Sequence, residues 1–154
     1  MLKIYFCFLC LAFLAYPISA EAKVKVVDGD SLFVDNREIR LSGIDAPEYK
    51  QTCYNAKNKE YPCGKLATRF LQKLANEDTK CNFVVKDKYK RYVSVCYSRG
   101  ININEKMVEE GWAVAYTRYT QEYSKVEKQA KIKKKGIWQG RFLKPELFRI
   151  LNKK

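Results

Sequence analysis

Short runs in which charged and apolar residues alternate occupy the first part of the chain. This pattern is typical of half-buried β-strands, whose successive side chains point to opposite faces. Three such runs are separated by polar turns, and two more flank a polar turn at Asp87. The predicted strands cover residues 23–27, 32–34, 38–43, 82–85 and 92–95.

The hydrophobic period becomes helical after Gly64, where Leu66, Ala67, Phe70, Leu71 and Leu74 form one apolar stripe. A second helix is expected to begin near residue 104, with Asn104 as its N-cap, and to end at residue 111. A third is expected over about residues 121–135, before residue 136. Five strands and three helices predict an α+β fold: a small Greek-key barrel of the OB type.

The N-terminal twenty residues have the pattern of a signal peptide. A lysine near the start precedes an apolar run over residues 4–16, and the segment ends with a small residue, Ala20. The run is shorter than the roughly 20 residues that a membrane span needs, although an uncleaved anchor is the alternative. We therefore expect cleavage after Ala20, export to the periplasm or the medium, and no stable membrane insertion of the remaining domain, residues 21–154.

The overall charge is strongly positive. The chain has 30 Lys and Arg against 17 Asp and Glu, a net charge of +13, of which only Lys3 lies in the first twenty residues. A domain this basic favours polyanionic partners such as nucleic acid or an anionic envelope surface. The chain contains no histidine, so imidazole is excluded as a catalytic base or metal ligand.

Four cysteines lie beyond the signal peptide: Cys53, Cys63, Cys81 and Cys96. In an exported domain they indicate two disulfides, for which three connectivities exist. A zinc site is disfavoured because no Cys-x-x-Cys pair is present. We predict Cys53–Cys63, which closes a short loop, and Cys81–Cys96, which joins the two strands flanking the Asp87 turn.

Carboxylates and arginines near the strand ends carry the candidate chemistry. Asp30 and Asp45 can meet at one end of a barrel, where two carboxylates repel unless a cation or a proton intervenes. Oxygen ligands alone suit Ca²⁺ or Mg²⁺. Arg40 and Arg91 offer planar guanidinium groups that match phosphate oxygens. Singly, these residues could be turn formers or surface ion pairs; together with Glu48 they indicate phosphodiester hydrolysis.

Three separated motifs resemble the signature of the staphylococcal nuclease (thermonuclease) family. They are VDGDS at residues 27–31, IRLSGIDAPE at 39–48 and DKYKR at 87–91. Residues 104–111, residue 116 and residues 136–138 also fall in the family's order, so the resemblance covers essentially all of residues 21–154. It implies a five-stranded OB barrel with three helices that hydrolyses DNA and RNA with Ca²⁺.

The resemblance also implies a metal site. Asp30 and Asp45 would ligate Ca²⁺, together with the backbone carbonyl of Ala46. Asp28 would hold a metal-bound water without contacting the metal itself. Glu48 would be the general base, or the group that orients the attacking water.

A substrate site is implied by the same resemblance. Arg40 and Arg91 would bind the scissile phosphate and stabilise its transition state. Lys88, Tyr89 and Tyr116 would hold the neighbouring phosphate and nucleotide.

The chain departs from the family pattern at a few positions. Ser31 stands where threonine is common, and Lys90 stands where the prototype has glycine, so Lys90 is strained if the turn requires a positive φ. The loop over residues 48–64 is longer than the prototype's and the Asp87 hairpin is shorter.

The leading interpretation is a monomeric, Ca²⁺-dependent endonuclease or phosphodiesterase of low sequence specificity. The rival is a binding module that keeps a basic, aromatic nucleic-acid groove without catalysis. A pure binder would not need the full set of Asp30, Arg40, Asp45, Glu48 and Arg91.

Overall fold

The alternating segments form strands at the predicted places. The computed structural model describes residues 23–153, and the predicted signal peptide lies outside them. In chain order the elements are β1 (Val24–Val26), β2 (Ser31–Val34), β3 (Arg37–Leu41), β4 (Ile44–Asp45), β5 (Cys53–Tyr54), β6 (Glu60–Tyr61), α1 (Cys63–Leu74), β7 (Lys80–Lys86), β8 (Tyr92–Ser98), β9 (Ile101–Asn102), α2 (Ile103–Glu109), β10 (Val114–Ala115), α3 (Ser124–Ile132), a 3-10 helix (Gly136–Gln139) and α4 (Pro145–Leu151).

The main sheet has the strand order β1-β2-β3-β8-β7, with β9 added to β8. Every pairing in this sheet is antiparallel except β3 with β8, which is parallel. Five strands in this order, with helices interrupting and following them, are the arrangement of a partly open OB-type barrel. The predicted α+β, OB-type fold is confirmed.

The three predicted helices are present as α1, α2 and α3, and the structure has one further α-helix. α1 buries Ala67 and Leu71 from its apolar stripe. α3 is shorter than predicted, and a fourth helix, α4, was not predicted. No helix within residues 23–153 is long and apolar enough to cross a membrane.

The predicted N-cap of α2 is wrong by two residues. Asn102 is the N-cap and accepts a hydrogen bond from the backbone of Glu105. Asn104 is fully buried instead, where its side chain accepts from the Cys96 backbone and donates to the carbonyls of Ser42 and Ser94. It thus links β8 to the turn after β3, because a buried amide must satisfy its polar atoms within the protein.

Both predicted disulfides are present. Cys53–Cys63 joins β5 to the start of α1, and Cys81–Cys96 joins β7 to β8. The first lies in a small apolar cluster with Val114 and Ile137, separate from the main core between the sheet and α1 and α2. It therefore holds the long loop after β4 against the C-terminal part of the domain.

Candidate active site

Two buried carboxylates and an arginine form the centre of the site. The register of β2 and β3 pairs Ser31 with Arg40, which places Asp30 beside the Arg40 side chain. Arg40 donates through Nη1 to Asp30 Oδ1 and through Nη2 to Asp45 Oδ1, the latter at 2.9 Å. Asp30 and Asp45 are 2% and 1% exposed, so this guanidinium group bridges two carboxylates that have almost no contact with solvent.

Further donors surround Asp30. The Ala46 backbone N–H donates to Asp30 Oδ2 at 2.8 Å, and Ser31 Oγ donates to Oδ1 at 3.2 Å. The Asp30 backbone N–H itself donates to Asp28 Oδ1 at 3.1 Å. Burial raises the pKa of Asp30 to about 6, although Arg40 acts in the opposite direction. Burial would lower the pKa of Arg40, but Asp30 and Asp45 raise it above its ordinary value.

A second arginine, which the sequence did not indicate, reaches Asp45 and Glu48 from α4. Arg149 Nη1 donates to Asp45 Oδ1 at 2.9 Å and to Glu48 Oε1 at 2.8 Å, and its Nη2 donates to Asp45 Oδ2 at 3.1 Å. Burial alone would lower the pKa of Arg149, but its hydrogen bonds to Asp45 and Glu48 outweigh this effect, and the pKa lies above its ordinary value. Arg149 therefore ties α4 to the residues that follow β3.

Gln51 is another residue that sequence reasoning missed. It is fully buried, and its Oε1 accepts from the Glu48 backbone N–H at 3.2 Å. Its own backbone N–H donates to the Glu48 carbonyl at 2.7 Å, while Nε2 donates to the Leu143 carbonyl at 2.7 Å. Gln51 thus fixes the backbone of Glu48 against the segment that leads into α4. A lone glutamine in an irregular loop gives no sequence signal of this role.

The hairpin between β7 and β8 carries Arg91, which forms its hydrogen bonds with Asp87 rather than with Asp30, Asp45 or Glu48. Both Arg91 Nε and Nη2 lie 2.8 Å from Asp87 Oδ2. Burial alone would raise the pKa of Asp87, but the hydrogen bonds from Arg91 outweigh this effect and hold the pKa below its usual value. Arg91 lies just before β8 and two residues before Val93, the β8 partner of Arg40.

Exposed side chains surround Arg91 in this turn. Tyr89 is 67% exposed, and Lys88 and Arg91 both lie over its ring, at 5.0 and 5.4 Å from the centroid. Lys90 has a φ of 67°, so the condition under which a side chain at this position is strained is met.

Tyr116 lies at the other side of the site, after β10. Its backbone N–H donates to the Gly43 carbonyl at 2.8 Å, and its hydroxyl donates to Glu146 Oε1 of α4 at 3.5 Å. Arg118 pairs with the same glutamate at 3.2 Å. Burial raises the pKa of Tyr116.

The donor set suits a hard cation. Within residues 23–153 no group of three or more Asp, Glu, Cys or His side chains is arranged to hold a metal ion alone. Asp30 and Asp45 nevertheless offer buried carboxylate oxygens bridged by a positive charge, and the Ala46 backbone lies against Asp30. Carboxylate oxygens fit Ca²⁺ better than a metal that prefers nitrogen or sulfur, and the contact that the Ala46 backbone makes here is through its N–H.

The sequence matches the family described as "Staphylococcal nuclease homologue" over residues 38–140. The chain belongs to this family. Within this staphylococcal nuclease homologue, the matched segment contains Arg40, Asp45, Glu48, Arg91 and Tyr116. The predicted ligand Asp30 precedes it, and the whole of α4 follows it.

Three relatives match most of the chain, and two of them carry nuclease names. It is 33% identical over 132 residues to "Succinoglycan biosynthesis protein ExoI" of Rhizobium meliloti, covering 82% of this chain and 67% of that protein. It is 34% identical over 122 residues to an "Uncharacterized endonuclease" of Haemophilus influenzae, covering 75% and 64%. It is 29% identical over 127 residues to "Thermonuclease" of Staphylococcus hyicus, covering 75% and 73%.

Proposed function

We propose that this staphylococcal nuclease homologue is a Ca²⁺-dependent endonuclease or phosphodiesterase. It hydrolyses DNA, RNA or both, with little sequence specificity, by in-line attack of water on the phosphodiester. The observation that carries the proposal is the buried cluster of Asp30, Arg40 and Asp45 with Glu48 linked to it through Arg149. Relatives named as endonuclease and thermonuclease support the same reaction class.

The metal would be held by Asp30 and Asp45, with the backbone carbonyl of Ala46 and with Asp28 acting through a water. Two neighbouring carboxylates repel each other and favour a cation between them. Arg40 bridges the pair in this structure, so a bound metal would replace part of these contacts. Bound Ca²⁺ would supply polarisation of a phosphoryl oxygen.

Glu48 would accept the proton of the attacking water. Its side chain is 32% exposed, so it can be reached from solvent while Gln51 fixes its backbone. A carboxylate at the edge of a buried charged cluster is suitably placed to orient a water molecule.

Arg40 and Arg91 would neutralise the charge that develops on the phosphoryl oxygens. Both now donate to carboxylates, Arg40 to Asp30 and Asp45 and Arg91 to Asp87. Phosphate oxygens accept the same bidentate donors. Because the guanidinium groups act on charge that appears in the transition state, they should contribute more to turnover than to binding.

Substrate would extend from the scissile phosphate across Lys88, Tyr89 and Tyr116. The exposed Tyr89 ring can stack on a base, and Lys88 adds a positive charge beside it.

The two disulfides are compatible with export to the periplasm or the medium. There the protein would act on nucleic acid as a monomer.

The test is cleavage by purified residues 21–154 of single-stranded DNA, duplex DNA and RNA, with Ca²⁺ or with EDTA. Wild type should cleave only with Ca²⁺. Glu48→Gln and Arg91→Ala should still bind nucleic acid but lose turnover, by about 10³-fold for the arginine by analogy with other phosphoryl-transfer arginines. Glu60→Gln, an exposed glutamate of β6, is the matched control and should cleave normally.

Two results would contradict the proposal. If the wild type binds DNA and RNA but cleaves neither at any Ca²⁺ concentration, the protein is a binding module. If Glu48→Gln and Arg91→Ala both cleave as fast as Glu60→Gln, the residue assignment is wrong although the enzyme class stands.

A further inference from the structure

The Glu48 carboxylate depends on α4 for its position. Among the described residues, Arg149 is the group that donates to it, at 2.8 Å from Oε1. A glutamate side chain has three rotatable bonds, and this one is only partly covered. Without a partner it would sample several rotamers, and few of them would leave the carboxylate beside Asp45.

The Arg149 guanidinium makes three hydrogen bonds in this contact. Its two terminal nitrogens meet both oxygens of Asp45 and one oxygen of Glu48. The arrangement fixes the spacing of the two carboxylates and offsets their repulsion. Arg40 also pairs with Asp30 and Asp45, and Arg91 pairs with Asp87, but among the described residues only Arg149 joins Asp45 to Glu48.

Several independent contacts hold α4 in the place that this role requires. Pro145 at its start is buried. The Leu143 carbonyl just before the helix accepts from Gln51, which also binds the Glu48 backbone. Glu146, three residues before Arg149, pairs with Arg118. The helix is thus attached to both sides of the site, and Arg149 is not a loose surface residue that reaches inward.

We propose that Arg149 is a positioning residue that holds the Glu48 carboxylate beside Asp45, and that α4 is consequently one wall of the active site. This assignment rests on the proposed function, because it gives Arg149 a part in that reaction. It extends the site beyond the segment over which the family match runs.

The test compares Arg149→Gln and Arg149→Lys with Ile150→Gln, a change at an exposed neighbour on the same helix. Arg149→Gln should lower kcat about 10–100-fold, the usual effect of removing a group that orients a metal-site or catalytic side chain, with KM little changed. Arg149→Lys should recover part of the loss, and so should guanidinium added at sub-denaturing concentration to Arg149→Gln. Ile150→Gln should behave as wild type.

The possible results separate this proposal from the broader one. An inactive wild type would overturn the proposed function and this assignment with it. An active wild type with normal or faster turnover by Arg149→Gln would overturn only the role of Arg149. A loss that appears in KM alone would indicate substrate contact instead. A loss that neither lysine nor guanidinium recovers, accompanied by a lower melting temperature, would reduce Arg149 to a structural residue and also overturn the assignment.

Discussion

At the scale of single residues, the centre of the site contains a buried charge that does not favour folding. Asp30 is almost completely buried, and its pKa is raised because burial penalises the carboxylate more than Arg40 favours it. A raised pKa means that ionising Asp30 costs the folded state free energy relative to its protonated form. The charge at Asp30 is thus better explained by ligand binding than by stability.

The pH dependence of stability should report this directly. The folded-state pKa of Asp30, about 6, lies above its ordinary value of 3.8. Between these values the folded state keeps a proton that the unfolded state has lost, so stability from this group is present below about pH 4 and is lost as the pH rises through 6. Asp30→Asn should abolish this pH-dependent decrease in stability, because asparagine does not ionise.

Urea unfolding in EDTA provides the measurement. The free energy of unfolding of Asp30→Asn, relative to wild type, should increase between pH 4 and pH 7 by on the order of 1–3 kcal/mol. Asp78→Asn, at an exposed aspartate, should show no such increase. A difference between Asp30→Asn and wild type that stays constant over this range would refute the interpretation.

The sequence identified those site residues that share a local pattern, and missed those that depend on tertiary contacts. Asp30, Arg40, Asp45 and Glu48 lie on or beside strands and turns within nineteen positions of one another, so the strand register brings them together. Arg149 is 104 positions from Asp45, and no periodicity relates the two. Their roles in the reaction remain proposals.

At the scale of elements, the strength of the local signal decided what could be predicted. α1 has twelve residues and a continuous apolar stripe, so its period is evident. α4 has seven residues, with Leu147, Ile150 and Leu151 all exposed, and therefore lacks an amphipathic pattern. So short a helix is marginal alone and forms because its contacts hold it. The hairpin of β7 and β8 was predictable because two β-rich runs flank a polar turn.

Strain in this hairpin can be tested at Lys90, whose φ is 67°. A left-handed backbone conformation costs a residue with a side chain roughly 1–2 kcal/mol of stability. Glycine avoids this cost but loses roughly 0.5–1 kcal/mol, because its unfolded chain has more conformational entropy. Lys90→Gly should therefore raise the free energy of unfolding by up to about 1 kcal/mol. Lys88→Gly, in the same turn but outside the left-handed region, should lower it. Equal or lower stability of Lys90→Gly in urea unfolding would show that the turn is not strained.

At the scale of the whole molecule, the excess of positive charge favours a polyanionic substrate. The net charge is +13, and exposed lysines lie both in the hairpin and along α3. Such a field attracts nucleic acid before specific contacts form and releases counterions when it binds. Affinity should therefore depend on salt, and the slope should report how many phosphates the protein neutralises.

Binding of a labelled single strand, measured by fluorescence anisotropy in EDTA so that the strand stays intact, tests this expectation. The logarithm of the association constant should fall linearly with the logarithm of salt concentration, by about 0.7 for each phosphate neutralised. Lys88→Ala should remove about one such contact and reduce the slope accordingly, because Lys88 lies beside the exposed ring of Tyr89. Lys80→Ala is the matched control, since it lies at the opposite end of β7, roughly 20 Å from the hairpin. If both lysine variants lower the slope equally, the hairpin is not the preferred binding site. If affinity does not change with salt at all, the positive charge does not contribute to nucleic-acid binding.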